Sequence, residues 1–214
     1  MIRKTFFVTF AVVVMLITLS VAAFANPYTL GAENGKILAP AGLGFDLFTN
    51  VNQPHQTGIS LNSELSYGIS SALTLTGSFQ NLNSDDRQTM VKAFYSPMHE
   101  GMGYTAYLGY DLGAGEIPVY GLSLWSDMKY LFGYVNVESN NKAMTVTPGV
   151  NVRLGSKLRV GGELAMNLSD GSKQNLRLGT SYALSKKLSV KVSMDTGFGR
   201  DTTPVITTGL AMQL

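Results

Sequence analysis

The sequence predicts an all-β fold: an antiparallel, up-and-down transmembrane β-barrel, most simply of twelve strands, behind a cleaved N-terminal signal peptide. Three observations predict it. From Met144 to Leu214 the even strand positions are mostly apolar and the odd ones small or polar, an alternation that passes through successive turns without slipping. A period of two means extended chain, because successive side chains point to opposite faces of a sheet. The runs are about ten to twelve residues long, longer than the roughly five or six usual in soluble strands and close to what a tilted strand needs to cross a bilayer. Finally, tight connections alternate with longer ones that carry acidic residues, the asymmetry of periplasmic turns and outer loops.

Residues 1–25 form a separate object. Arg3 and Lys4 make a positive start, Phe6 to Leu19 is apolar apart from Thr9 and Thr18, and Ala23-Phe24-Ala25 is a small-x-small cleavage site. The segment reads as a secretory signal, too short for a spanning helix. The remainder, 26–214, is the barrel domain. Removing the signal takes two of the 16 basic residues and none of the 14 acidic ones, leaving a formally neutral chain. No basic surface for nucleic acid is therefore indicated. The chain has no cysteine, so it has neither disulfides nor thiol chemistry nor a lipid-anchored cysteine. Only 14% of its residues are charged while glycine numbers 23, which suits a wall with one oily and one polar face.

The expected strands are 38–48, 58–68, 73–82, 89–96, 103–111, 118–125, 128–137, 143–154, 157–168, 174–184, 187–196 and 203–214. In the first three the odd positions carry the oil: Leu43, Phe45 and Leu47, then Ile59, Leu61, Leu65 and Tyr67, then Leu73, Leu75 and Phe79. The linker 50–56, with Pro54, separates the first two. In the fourth, Val91, Ala93 and Tyr95 compete with Met90 and Phe94 for the outer face. Tyr104, Ala106, Leu108 and Tyr110 then carry the oil on even positions, so an odd-length connection or a bulge is expected between Phe79 and Tyr104. Ser126-Asp127 is read as a turn, Glu138 to Asn141 as a loop, and the outward face of the strand between them is not assigned. Pro148 falls on the lipid side in mid-strand, where a bulge or local break is expected. An even strand count lets both termini lie on one side.

The polar face collects the charges expected to line the lumen: Asp46, Glu64, Lys92, Asp111, Arg153, Arg159, Glu163, Arg177, Lys191 and Asp195. Four of the five bases fall between Arg153 and Lys191. If they line one wall and Asp46, Glu64 and Asp111 the opposite one, a transverse field would orient a polar solute and select modestly by charge. The alternative is that the charges pair across the lumen and close it. Trp125 and Tyr67, Tyr95, Tyr104, Tyr110, Tyr120 and Tyr182 fall near strand ends, where interfacial anchoring is the default role. Tyr130, Phe132 and Tyr134 are the one expected inward aromatic group. Catalysis is not indicated, nor is any cofactor or metal site. The two histidines, His55 and His99, are assigned to opposite ends, and a pairing of His55 with Asp85 or Asp86 is what two short polar loops produce by chance. Neither a phosphate-binding loop nor zinc-ligand spacing occurs.

The cleaved signal, the turns Leu154-Gly155-Ser156-Lys157-Leu158 and Leu184-Ser185-Lys186-Lys187-Leu188, and the amphipathic last strand make the chain resemble a bacterial outer-membrane β-barrel protein of the small porin type. That resemblance implies an outer-membrane location, contact with its lipid, and recognition of the last strand by the barrel-assembly machinery. In that class the last residue is usually aromatic, whereas this chain ends in Leu214. The function expected is a passive, weakly selective pore for small hydrophilic solutes. The alternatives are a closed structural or adhesive barrel without a conducting pore, or a soluble secreted β-sandwich.

Overall fold

In the computed structural model the alternating chain closes on itself as one sheet. The structure describes residues 38, 40–51, 59–85, 87–97, 101–112, 117–140, 142–170, 174–198 and 204–214. The expected signal peptide, His55, His99 and Asp86 lie outside the described residues. Twelve strands follow in order: β1 (Leu43–Val51), β2 (Ile59–Gly68), β3 (Leu73–Gln80), β4 (Gln88–Tyr95), β5 (Gly101–Asp111), β6 (Ile117–Asp127), β7 (Leu131–Asn140), β8 (Met144–Leu154), β9 (Leu158–Asn167), β10 (Gln174–Ala183), β11 (Leu188–Gly197) and β12 (Val205–Gln213). Each is antiparallel to its neighbours in sequence, and β1 pairs with β12 to close the ring. Leu214 fastens that seam: its N–H donates to the Leu43 carbonyl at 2.8 Å, and Leu43 N–H donates back at 3.1 Å.

The paired residues, followed once round the ring, return displaced by about 14 residues, which for twelve strands about 4.8 Å apart gives a tilt of about 40° and a backbone radius of about 12 Å. Side chains from opposite walls therefore do not meet across the axis at every level.

Directly paired residues share a face, so the outward parity is kept where two partners sum to an even number and flips where they sum to an odd one. It flips between β4 and β5, where Tyr95 pairs with Ala106, and again at β6–β7, at β7–β8 and at the β12–β1 seam. The expected change before Tyr104 is thus present: the connection 96–100 is of odd length, and the even number of residues between the partners Tyr95 and Ala106 flips the parity. On β4 the outward set is Val91 and Tyr95, with Lys92 and Phe94 inward and buried. On β7 the outward set is Leu131 and Val135, with Phe132, Tyr134 and Asn136 inward.

The outside of the ring is apolar and open: Leu108 is 64% exposed, while Thr105 and Phe94 on the inner face are at 0%. Such an inverted surface is stable only against hydrocarbon. Two tyrosine belts bound it. Tyr67, Tyr95, Tyr104 and Tyr182 lie outward near the short-turn end, and Tyr110 and Tyr120 lie outward near the other end.

Five local expectations are corrected. Trp125 is not an interfacial anchor; it points inward and is buried, because β6 faces out on its even positions. Tyr130 is not inward either, since the β6–β7 turn occupies 128–130 and leaves it exposed. Ser126 and Asp127 end β6 instead of forming that turn, and Glu138 to Asn140 extend β7 instead of opening a loop. β1 begins at Leu43 rather than 38 and runs through Asn50 to Val51. At Pro148 the expected break occurs without a bulge: Val146 pairs with Met166 and Gly149 with Glu163, in one register, while the residues between are skipped. The missing proline N–H removes the ladder bond there.

Candidate functional site

Polar side chains on the inner face are placed by register alone. All ten charges expected from the sequence lie on it: Asp46 on β1, Glu64 on β2, Lys92 on β4, Asp111 on β5, Arg153 on β8, Arg159 and Glu163 on β9, Arg177 on β10, and Lys191 and Asp195 on β11. Glu163, Arg177 and Asp195 are direct cross-strand partners in one row. Arg177 donates to both carboxylates, at 2.6 Å to Glu163 and 2.8 Å to Asp195. Charge-assisted bonds of that length are strong ones. Lys191 reaches over β12 to Asp46 at 3.5 Å. The Glu64 carboxylate accepts from the Ser78 hydroxyl at 2.9 Å.

Two further charges belong to this wall and escaped the sequence reading. Glu138 pairs with Lys92 at 2.8 Å, and Asp127 pairs with Arg153 at 2.5 Å. Both had been read as connections. The signal for them was present: once Leu122 and Leu124 are taken as outward, Asp127 must be inward, and once Val135 is outward, Glu138 must be inward.

The transverse field expected from the sequence is not what the geometry builds. Glu64 and Asp111 do lie half a ring from β8 and β11, but Asp46 sits two strands from Lys191 and pairs with it. The bases of β8–β11 share their own wall with Glu163 and Asp195. The described charges show an axial asymmetry instead. At the short-turn end stand Lys129, Lys157, Lys186 and Lys187, with Arg153 and Arg159 facing each other in register just inside. Asp127 is the acid described among them. At the opposite end the described acids include Asp85, Asp111 and Asp170, beside Arg87 and Lys142. The described charge thus changes sign from one end of the ring to the other.

The remaining wall, β4–β7, is aromatic. Phe94 packs on Tyr107 with ring centroids 5.3 Å apart, and Phe132 lies between Trp125 at 6.3 Å and Tyr134 at 5.8 Å. Trp125 Nε1 donates to Thr105 Oγ1 at 3.2 Å, which satisfies its one polar atom. The two tyrosine hydroxyls donate to carboxylates, Tyr107 to Glu138 at 3.0 Å and Tyr134 to Glu163 at 2.5 Å. Lys92 Nζ lies 4.8 Å from the centre of the Tyr107 ring. These rings are buried, so they do not present stacking faces to a solute.

Solvent reaches the inner ion pairs. The Arg177 and Glu138 side chains each keep 38% of their surface, whereas Glu163 beneath Arg177 keeps 6%. The inner face is therefore a wet, charged lining over a dry first layer. No group of three or more His, Asp or Glu side chains able to hold a metal occurs among the described residues.

The fold is similar to those of solved porins. It superposes on the KdgM porin with a TM-score of 0.65 at 13% identity, covering 79% of this chain and 98% of that one. A KdgM porin in complex with disordered oligogalacturonate gives 0.64 at 13% identity, covering 80% and 98%. The NanC porin gives 0.63 at 11% identity, covering 79% and 100%. At such identities the likeness is one of fold. No protein-family model matches the chain, and no curated protein matches it in sequence.

Proposed function

We propose that the protein is a passive, weakly selective pore for small hydrophilic solutes in a bacterial outer membrane, reached by export through a cleaved signal peptide. One observation carries the reading: a closed ring, apolar outside, whose inner ion pairs remain accessible to water, as the 38% exposure of Arg177 illustrates. Passage is passive because the groups facing the axis are held by neighbours on the wall, and a solute needs only to exchange water contacts. Selection is weak because Arg177 and Lys92 are already neutralised by carboxylates within hydrogen-bond distance. The lumen-lining set is Asp46, Glu64, Lys92, Asp111, Asp127, Glu138, Arg153, Arg159, Glu163, Arg177, Lys191 and Asp195. The exposed apolar belt is the contact with membrane lipid, and β12 is the strand offered to the barrel-assembly machinery. The neighbour solved with oligogalacturonate supports a polar, saccharide-sized solute as the first class to try. No catalytic role is assigned to the wall.

Liposome swelling tests this reading. Vesicles containing the refolded protein are diluted into isotonic solutions of arabinose, glucose, sucrose and raffinose. Entry that slows steeply with solute size supports the pore, and vesicles no more permeable than protein-free ones would contradict it.

A further inference from the structure

Two rows of the inner wall repeat one another. Tyr107 on β5 pairs with Gly121 on β6, which pairs with Glu138 on β7; Tyr134 on β7 pairs with Gly149 on β8, which pairs with Glu163 on β9. In each row the tyrosine lies across the glycine and its hydroxyl donates to the carboxylate one strand further on. A cation completes each carboxylate: Lys92 for Glu138 and Arg177 for Glu163.

We propose that Gly121 and Gly149 are seats that hold Tyr107 and Tyr134 against the wall and so set the free width of the lumen. A side-chain carbon on Gly121 would overlap Cζ, Oη and Cε1 of Tyr107, and one on Gly149 would overlap Cζ, Oη and Cε2 of Tyr134. In both cases every nearest atom belongs to the tip of the ring. Gly133 and Gly155, by contrast, have nothing within 4 Å of that position. A ring tip is the mobile end of its side chain, so a methyl group at either seat is accommodated by rotation of the ring about χ1 and χ2, not by displacement of the sheet. The staggered alternatives lift the phenol off the wall, toward the axis of the ring. The tyrosine then loses its carboxylate acceptor, and the carboxylate keeps only its cation. An alanine at a seat thus converts a lining residue into an obstruction while the barrel stays closed. For a backbone radius of about 12 Å, with side chains removing about half of it, one upright phenol occupies about a third of the open section.

The electrical part of the test rests on the pore reading above; the chemical part does not. Gly121→Ala, Gly149→Ala and the wild type are refolded, matched for folded fraction by gel mobility without heating, and compared in two ways. Site-resolved nitration with tetranitromethane should leave Tyr107 and Tyr134 unmodified in the wild type and modify Tyr107 in Gly121→Ala and Tyr134 in Gly149→Ala. Planar-bilayer conductance should fall by about a third in each variant, and Tyr107→Ala added to Gly121→Ala should recover it. Unchanged nitration in folded variants would overturn the seats, and so would nitration with unchanged conductance. An electrically silent wild type would overturn the pore reading alone, with nitration still deciding for or against the seats.

Discussion

Arg177→Ala removes the cation at the centre of the row Glu163, Arg177, Asp195, and the structure fixes the size of the loss. Glu163 is nearly enclosed, with 6% of its side chain exposed, and without Arg177 it retains the Tyr134 hydroxyl as donor. Breaking a fully buried pair costs about 3–5 kcal/mol, because a charge is left without compensation. Arg177 itself is 38% exposed, so water already screens part of the attraction and the expected cost falls to about 2 kcal/mol. Asp195, at 25% exposure, adds little because it regains water. Adding Glu163→Gln to Arg177→Ala removes the stranded charge and keeps an acceptor for Tyr134, and should restore about 1 kcal/mol. The assay is urea unfolding in lipid vesicles followed by the fluorescence of Trp125, the chain's single tryptophan. An Arg177→Ala variant within about 0.5 kcal/mol of the wild type, or a double variant no more stable than the single one, would refute the reasoning.

Three more outcomes follow from the same wall. Leu178→Arg, one residue from Arg177 but on the outer face midway along β10 at 46% exposure, should destabilise the barrel by about 2–4 kcal/mol in bilayers, and unfolding there at wild-type urea concentrations would contradict the assigned parity. Brominated lipids should leave Trp125 fluorescence unquenched, since the indole faces inward; a Trp125→Phe, Leu124→Trp variant should be quenched strongly, and equal quenching of the two would refute the placement. Replacing Arg153 and Arg159 together by Glu should shift the reversal potential in a salt gradient toward cations and reduce any rectification, because it removes most of the net positive charge of the short-turn mouth; an unmoved reversal potential would refute the axial asymmetry.

The β-barrel was legible in the sequence because period-two alternation is a single strong signal repeated along most of the chain. From Met144 onward even positions face lipid in the structure as read, since Arg153, Arg159, Glu163 and Arg177 exclude the other assignment. The central strands were harder for a definite reason. On β4 and β7 both faces are apolar: Val91, Ala93 and Tyr95 face Met90 and Phe94, and Leu131 and Val135 face Phe132 and Tyr134. Where a lumen wall is aromatic, oil no longer marks the lipid side. Trp125 was misplaced for the same reason, because an indole near a strand end fits an interface as well as a packed inner corner. Asp127 and Glu138 were read as connections because charge next to Ser or Asn resembles a turn; only the parity of the flanking strand reveals them as lining. The Tyr–Gly–Glu rows depend on register between strands far apart in the chain, which no single segment encodes.

Single-channel recording of the refolded protein in planar bilayers tests the central claim most directly. A water-filled ring predicts steady, ohmic-scale conductance that rises with salt and changes when Arg159 or Arg177 is replaced by Glu. Electrical silence from protein shown to be folded and inserted would contradict it and leave a closed barrel.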